Sequence, residues 1–213
     1  MLGSLRWLLL AIVLTALPVA AGVLVLDEEA PVVPETAAPP SYTSTPLADF
    51  DTSVVALARA PFCELLPEDA LSEALGGEPA AITTYDNGEP AEIAPGLTDV
   101  AHEYGCRIEG PGTAEVRAWL FAPPVPRSRA VELVEEAAQR RSCTRPPQAP
   151  AYGAPSVTLM CPAGDRRWAS FRGLFGDAWL ACSLAGPATL SDVELLDRAG
   201  RWCVAVAEAA TAG

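Results

Sequence analysis

The chain has 213 residues, which is room for one ordinary domain plus appended segments. Half of the residues are hydrophobic, so the chain can build a sizeable core, and wholesale disorder is excluded. All 14 basic residues are arginine, and they stand against 27 acidic residues. The resulting net charge of −13 largely excludes a general nucleic-acid binder, because that class needs a basic surface.

The chain opens with an uncharged apolar run, residues 7–26. At about 1.5 Å per residue a helix of this length spans a hydrocarbon core of roughly 30 Å. Arg6 precedes the run and Asp27 follows it, so the positive flank should stay in the cytoplasm. We therefore predict a signal anchor over residues 1–26 and an extracytoplasmic remainder. In the alternative, cleavage at the small residues 19–21 releases a secreted protein.

Residues 27–48 follow as a predicted linker. They include five prolines and four acidic residues but few large apolar ones. Such a composition cannot build a core and favours an extended, semi-rigid spacer. The folded extracytoplasmic domain is predicted over residues 49–213.

Six cysteines lie beyond the apolar run. Their even number in an oxidising compartment predicts three disulfides, and of the 15 possible pairings we favour neighbours in sequence. No CxxC spacing occurs and the single histidine is not near a cysteine pair, so no metal site is expected. The predicted pairs are Cys63–Cys106, Cys143–Cys161 and Cys182–Cys203.

Three segments carry helix signals. Pro67 and the acids after it predict a first turn that begins near residue 65, and Gly76 and Gly77 end that helix. Ser128 can cap a second helix that runs to residue 140. Ser191 and Glu194 form a capping box for a third helix, which reaches residue 210 with one broad apolar face.

Strand signals fill the gaps between these helices. Glycine-containing turns at residues 110–112 and 173–177 predict two hairpins, whereas Pro90 argues against a central strand after the turn at residues 86–88. The order of elements indicates an α+β domain, an antiparallel sheet with helices packed on one face. The predicted strands cover residues 104–109, 114–121, 156–161, 167–171 and 178–184.

Catalytic motifs are missing from the sequence. There is no Gly-x-Ser-x-Gly elbow, no phosphate-binding glycine–lysine loop and no lysine at all. His102 could pair with Asp99 or Glu103 as a base, but a surface histidine beside carboxylates is the simpler interpretation. We expect no enzyme activity and no cofactor.

The arginines are concentrated in the second half of the domain. Twelve acids and one arginine lie between residues 64 and 115, whereas nine acids and eleven arginines follow. Guanidinium groups suit carboxylate or phosphate ligands, although ordinary surface arginines and core tryptophans are the competing interpretation. The candidate ligand-binding residues are Arg166, Arg167, Trp168 and Trp179, and Arg140, Arg141, Arg145 and Arg172 complete the arginine-rich set.

The start of the domain resembles a known family. The stretch Pro61-Phe62-Cys63-Glu64-Leu65-Leu66, followed about 40 residues later by Tyr104-Gly105-Cys106, is similar to actinobacterial cell-envelope lipoproteins and membrane-anchored domains of unknown function. Their domains open on Pro-Cys-x-Leu-Leu, whereas this chain inserts Phe62 and lacks the lipid-bearing cysteine. The resemblance implies an envelope location and an α+β fold with a possible ligand cleft, as in related sensor domains. It supplies no catalytic residues.

Together these features predict a non-catalytic, membrane-anchored extracytoplasmic binding or sensor-like accessory domain of the cell envelope. The expected partners are the cell membrane, through the N-terminal segment, and other envelope proteins or an anionic envelope ligand. Nucleic acid is not expected. The alternatives are a protein-interaction scaffold without a ligand pocket and an envelope hydrolase with an unrecognised site.

Overall fold

The computed structural model describes residues 42–94 and 96–212. The predicted anchor and residues 27–41 of the predicted linker lie outside the described residues. Across the two described ranges, no helix has both the length and the hydropathy that a bilayer crossing requires.

The fold is α+β, as predicted, and is built on a six-stranded antiparallel sheet. The spatial order of its strands is β1-β4-β5-β8-β7-β6, and β2 and β3 form a separate two-stranded ribbon. The helices are α1 (Glu68–Leu75), α2 (Arg127–Ala138) and α3 (Asp192–Ala212). The strands are β1 (Ala81–Tyr85), β2 (Pro90–Ala94), β3 (Leu97–Val100), β4 (Glu103–Glu109), β5 (Glu115–Phe121), β6 (Ser156–Ala163), β7 (Arg166–Phe175) and β8 (Ala178–Pro187).

Both predicted hairpins are present, and they meet at the centre of the sheet. Strands β4 and β5 pair from Glu109 opposite Glu115, and β7 and β8 pair up to Phe175 opposite Ala178. Strand β5 then pairs with β8, with Leu120 opposite Leu180. The order of the strands therefore brings together segments that are about 60 residues apart in sequence.

One face of the sheet, which we call the covered face, packs against α1 and α3. Alternate residues of the strands point into this core, and Phe171 and Leu180 are at most 1% exposed. From α3, Trp202 and Val206 pack into the same core, also at most 1% exposed. Burial of such large side chains is the main source of stability here.

The prediction that all helices share one face is wrong, because α2 lies on the opposite side of the sheet. Ala130 of α2 packs with Leu174 and Trp179, which pair across β7 and β8 and lie on the face opposite Phe171. The physical reason is that β6, β7 and β8 carry apolar side chains on both faces, so this half of the sheet needs two covers.

The three predicted disulfides form as neighbours in sequence, and none of the six cysteines is free. Cys63–Cys106 and Cys182–Cys203 lie within the core of the covered face. Cys143–Cys161 belongs to the apolar cluster that α2 covers on the other face. Each face of the sheet is therefore braced covalently.

The ends of α1 and α3 carry the predicted caps. Gly76 ends α1 with a left-handed φ of 73°, a conformation that glycine adopts without strain. Arg198 of α3 donates to the Ala74 carbonyl at 2.8 Å, which satisfies an otherwise unpaired group of α1. At the start of α3 the Ser191 hydroxyl accepts from the Glu194 amide at 3.2 Å.

Residues 42–48, which belong to the predicted linker, pack against α1 and α3. Tyr42 and Ser44 donate to the Glu73 carboxylate at 2.9 and 2.6 Å, and Arg201 donates to the Ser44 carbonyl at 3.2 Å. Leu47 is buried in the core. The compact unit therefore begins at Tyr42.

Candidate functional site

The candidate site is a concave surface on the sheet face opposite α1 and α3, beside the part that α2 covers. We call it the arginine–tryptophan trough. Its volume is about 250 Å³, and β8 forms its floor between side chains of β5 and β7. It is lined by Glu115, Arg117, Trp119, Ala163, Arg166, Trp168, Arg172, Ser183 and Ala185.

The register of the strands explains why a trough forms here. Ala185 of β8 lies between Glu115 of β5 and Trp168 of β7. The next residue of β8 on the same face is Ser183, which lies between Arg117 of β5 and Ser170 of β7. The one after it is Ala181, which lies between Trp119 and Arg172. Small side chains on the middle strand and long ones on its two neighbours leave a groove along β8.

Glu115 is the one strongly buried carboxylate of the trough, with 6% of its surface exposed. It accepts from Arg107 at 2.9 and 3.1 Å and from Arg117, and Arg166 lies 3.8 Å away. Burial alone would raise the pKa of Glu115, but the hydrogen bonds and charges of Arg117 and Arg107 outweigh it, so the pKa is lowered. Glu115 is therefore an ionised, fully satisfied anion.

Arg172 is the opposite case, a partly buried cation without a carboxylate partner. Its Nε donates to the Ser170 hydroxyl at 3.2 Å, and its guanidinium carbon lies 5.5 Å from the centre of the Trp119 ring. Within the two described ranges no acidic side chain forms an ion pair with it. Burial lowers the pKa of Arg172 to about 10, and the charge of Arg140 adds to this shift.

Positive charge exceeds negative charge in and around the trough. Arg117, Arg166 and Arg172 line it, and Glu115 is the acid among its lining residues. Arg107, next to the trough, also bridges to Glu109 at 2.9 Å. Counting these four arginines against the two glutamates leaves two positive charges without a counterion. Guanidinium groups with free N–H donors are suited to carboxylate or phosphate oxygens.

Two of the four sequence-predicted ligand residues, Arg166 and Trp168, line the trough. Arg167 does not, because side chains alternate along β7 and it points to the covered face. There it donates to the Leu190 carbonyl at 3.3 Å and pairs with Asp192. Trp179 is 3% exposed and packs beneath α2, so it belongs to the core.

Sequence reasoning missed the part of the trough that β5 supplies. Glu115, Arg117 and Trp119 alternate along that strand, so they share one face. This alternation is visible in the sequence. The pairing of β5 with β8, which brings these side chains beside those of β7, is not.

The remaining candidates do not assemble into a catalytic site. His102 is exposed, and neither neighbouring acid hydrogen-bonds to its ring. The Asp99 carboxylate accepts from the Val100 amide at 2.8 Å, and Glu103 accepts from the Tyr85 hydroxyl at 2.7 Å. Among the described side chains, no three metal-ligating groups gather to hold an ion.

Two other hollows differ from the trough in their lining. The first, about 180 Å³, is a mainly apolar groove between residues 46–48 and α3, with Asp197 at its edge. The second, about 340 Å³, lies beside Cys63 and is lined by Glu64 and Asp86. Neither has an unpaired cation among its lining residues, so the trough is the stronger candidate for ligand binding.

Comparison with known proteins gives limited similarity. No protein-family model matches the chain, and no curated protein matches its sequence. The extracellular domain of PknH from Mycobacterium tuberculosis is similar at a TM-score of 0.40 and 12% identity, covering 71% of this chain and 97% of that one. A GTP binding regulator from Thermotoga maritima gives a TM-score of 0.30 and 8% identity, with 73% and 95% coverage. With TM-scores below 0.5, neither likeness bears on function.

Proposed function

We propose that this protein is a non-catalytic binding domain of the cell envelope that recognises an anionic ligand in the arginine–tryptophan trough. Residues 1–26 anchor it in the membrane, and the folded domain lies outside the cytoplasm. The observation that carries the proposal is Arg172, a partly buried cation that lines the cavity and lacks a carboxylate partner among the described residues.

The three disulfides support an extracytoplasmic location. All six cysteines are paired, and disulfides form and persist in oxidising compartments but are rare in a reducing cytosol. The uncharged run at residues 7–26, with Arg6 before it and Asp27 after it, supports export of everything that follows. A reporter fused to the C-terminus tests this location, and activity of the reporter in the cytoplasm would contradict it.

Electrostatics supports an anionic ligand. A guanidinium that leaves water without a carboxylate partner is costly, and the Ser170 hydroxyl and the Trp119 ring compensate for only part of that cost. An oxyanion between Arg172 and Arg117 would complete both sets of hydrogen bonds.

The direct test is a titration of the full-length protein with inorganic phosphate at low ionic strength, followed by calorimetry. We expect Arg172→Gln to weaken binding at least tenfold, because hydrogen bonds to charged groups contribute about 1.5–3 kcal/mol. Arg167→Gln is the matched control, with the same charge change on the same strand but on the covered face. Equal losses in both variants, or no binding to the unaltered protein, would overturn the proposal.

A second candidate function, a protein-interaction scaffold, is supported by the ribbon formed by β2 and β3. Leu97 and Val100 of this ribbon are 53% and 48% exposed. Exposed apolar side chains gain free energy when a partner buries them. Crosslinking at the native membrane separates the two functions, since a Leu97→Ser/Val100→Ser variant loses captured partners only under the scaffold alternative.

A further inference from the structure

We infer that the ligand of the trough is an oxyanion carried on a single ring, with the anion over Ser183 and the ring over Ala185 against Trp168. The inference rests on the proposed function and adds the class of ligand to it. It follows from the different surroundings of the two ends of the trough.

The anion end is defined by the arginines on either side of β8. Arg117 pairs with Ser183 from β5, and Arg172 lies one position further along the same face of β7. Ser183 is partly exposed on the floor, and its hydroxyl can donate to the same group. Guanidinium groups from β5 and β7 and a hydroxyl from β8 line this part of the trough, and such donors are suited to phosphate or carboxylate oxygens.

At the ring end of the trough the arginines are already paired with a carboxylate of the protein. Ala185 offers no polar side-chain atom, and Glu115 lies directly opposite it on β5. Glu115 accepts hydrogen bonds from Arg107 and Arg117 and lies 3.8 Å from Arg166, so a second anion at this end would compete with Glu115 for guanidinium groups that are already engaged. The neutral part of a ligand therefore belongs here, and the charged part belongs over Ser183.

The two tryptophans of the trough are not equivalent. The Trp119 ring is covered by the Arg172 guanidinium, 5.5 Å from its centre, so it positions that arginine. Trp168 packs on one side against the apolar cluster that contains Cys161, and it also lines the cavity. It is partly exposed and thus provides the aromatic surface on which a ring can stack.

The dimensions limit the ligand to one ring. Ser183 and Ala185 are two residues apart on one strand, a distance of about 7 Å, which suits a ring with an oxyanion attached directly to it. The cavity of about 250 Å³ lies just below the range of roughly 300–1,000 Å³ that drug-sized ligands occupy. An aryl ester and a sugar phosphate both meet these requirements.

The test compares anions with and without a ring on the full-length protein. Methyl phosphate is the ring-free reference for phenyl phosphate and glucose 1-phosphate, and acetate is the reference for benzoate. We expect at least one ring-bearing anion to bind about three- to tenfold tighter than its reference, the range expected for one stacking contact. Whichever ester gains more identifies the ring as aromatic or as a sugar.

Variants at position 168 decide whether the gain comes from stacking. Trp168→Leu should abolish the ratio between the affinities for a ring-bearing anion and its ring-free reference, each measured on the same variant. Trp168→Phe should keep part of that ratio, because it retains an aromatic side chain. A ring advantage that survives Trp168→Leu, or no ring advantage in a protein that binds methyl phosphate, overturns this inference alone. If neither reference anion binds, the proposed function falls with it.

Discussion

The two faces of the central strands β5, β7 and β8 differ in the side chains that they carry and in the role of those side chains. On the covered face, Phe171, Leu180 and Trp202 are almost fully buried and make apolar contacts with α1 and α3. On the opposite face, the same strands present Glu115 and Arg172, which are charged. One set of strands therefore carries a face that stabilises the fold and a face whose charges suit a ligand.

Within the trough, Glu115 and Arg172 differ in whether the protein supplies them with a partner of opposite charge. Glu115 is surrounded by Arg107, Arg117 and Arg166, so its charge is compensated inside the protein. Arg172 has a hydroxyl and a ring but no carboxylate among the described residues. The ion pairs of Glu115 contribute to stability, whereas Arg172 is the group on which the proposed ligand site rests.

The largest expected contrast is between a tryptophan of the covered face and one of the trough. Trp202→Ala should lower the free energy of unfolding by about 3–5 kcal/mol, since it leaves a large cavity in a tightly packed core. Trp119→Ala should cost about 1 kcal/mol, because its ring is partly exposed and its main contact is Arg172. Urea unfolding measures both, and similar losses would show that the two faces are equally important for stability.

The next effect concerns the disulfides that brace each face. Closing loops over sequence separations of 21 and 18 residues stabilises by about 3 kcal/mol in the chain-entropy model. Cys182→Ala/Cys203→Ala should exceed that value, because both cysteines are fully buried in the core. Cys143→Ala/Cys161→Ala should stay near it. A smaller loss for the buried pair would contradict the assignment of the main core to the covered face.

Much of the fold was predictable because its signals are local. Helix α3 begins where Ser191 caps it, α1 ends at Gly76, and the turns between β4 and β5 and between β7 and β8 are marked by glycine. The disulfides follow sequence order, and their pairing was predicted. Pro90 was predicted to argue against a central strand, and it begins a strand of the separate two-stranded ribbon, where the loss of one N–H donor is tolerated.

The candidate site was less predictable because it depends on contacts distant in sequence. Arg166 and Trp168 were found from their types, but alternation on β7 was needed to separate them from Arg167. Arg117 and Trp119 join them only through the pairing of β5 with β8, which no local pattern specifies. The position of α2 has a local signal, the apolar residues on both faces of β8, which the prediction did not use.

A moderate effect on the free energy of unfolding is expected from two carboxylates, Glu115 and Glu103, whose contributions depend on pH in opposite ways. The folded state binds a proton on Glu115 less tightly than the unfolded state, because its pKa is lowered. Its contribution to stability is therefore full above pH about 4.5 and is lost as the pH falls through the lowered pKa. Glu115→Gln should cost about 1–2 kcal/mol at pH 7, and the difference should shrink in acid.

Glu103 provides the matched comparison outside the trough. Burial raises its pKa, and this outweighs the hydrogen bond from Tyr85, so the folded state binds its proton more tightly. Its ionisation opposes folding, and stability should increase as the pH falls through the raised pKa towards the unfolded value. At pH 7 the free energies of unfolding of Glu103→Gln and Glu115→Gln should lie on opposite sides of that of the unaltered protein, and both differences should shrink as the pH falls to 3.5. Two variants that differ from the unaltered protein in the same direction would contradict the opposite pKa shifts of Glu103 and Glu115.

The smallest effect on the free energy of unfolding is expected for Arg172, and it is the most direct test of the difference between the trough and the covered face. Removing its charge relieves a desolvation cost of about 2 kcal/mol, and it loses one hydrogen bond to Ser170 and one cation–π contact of about 1 kcal/mol each, so the terms nearly cancel. Arg172→Gln should therefore leave the free energy of unfolding within about 0.5 kcal/mol of the unaltered protein, although it abolishes most anion binding. Arg167→Gln should do the reverse, with a small loss of stability from its broken contact with Asp192 and no effect on binding. If Arg172→Gln destabilised the fold more than Arg167→Gln, the Arg172 guanidinium would serve the structure, and the trough would lose its strongest claim to a ligand.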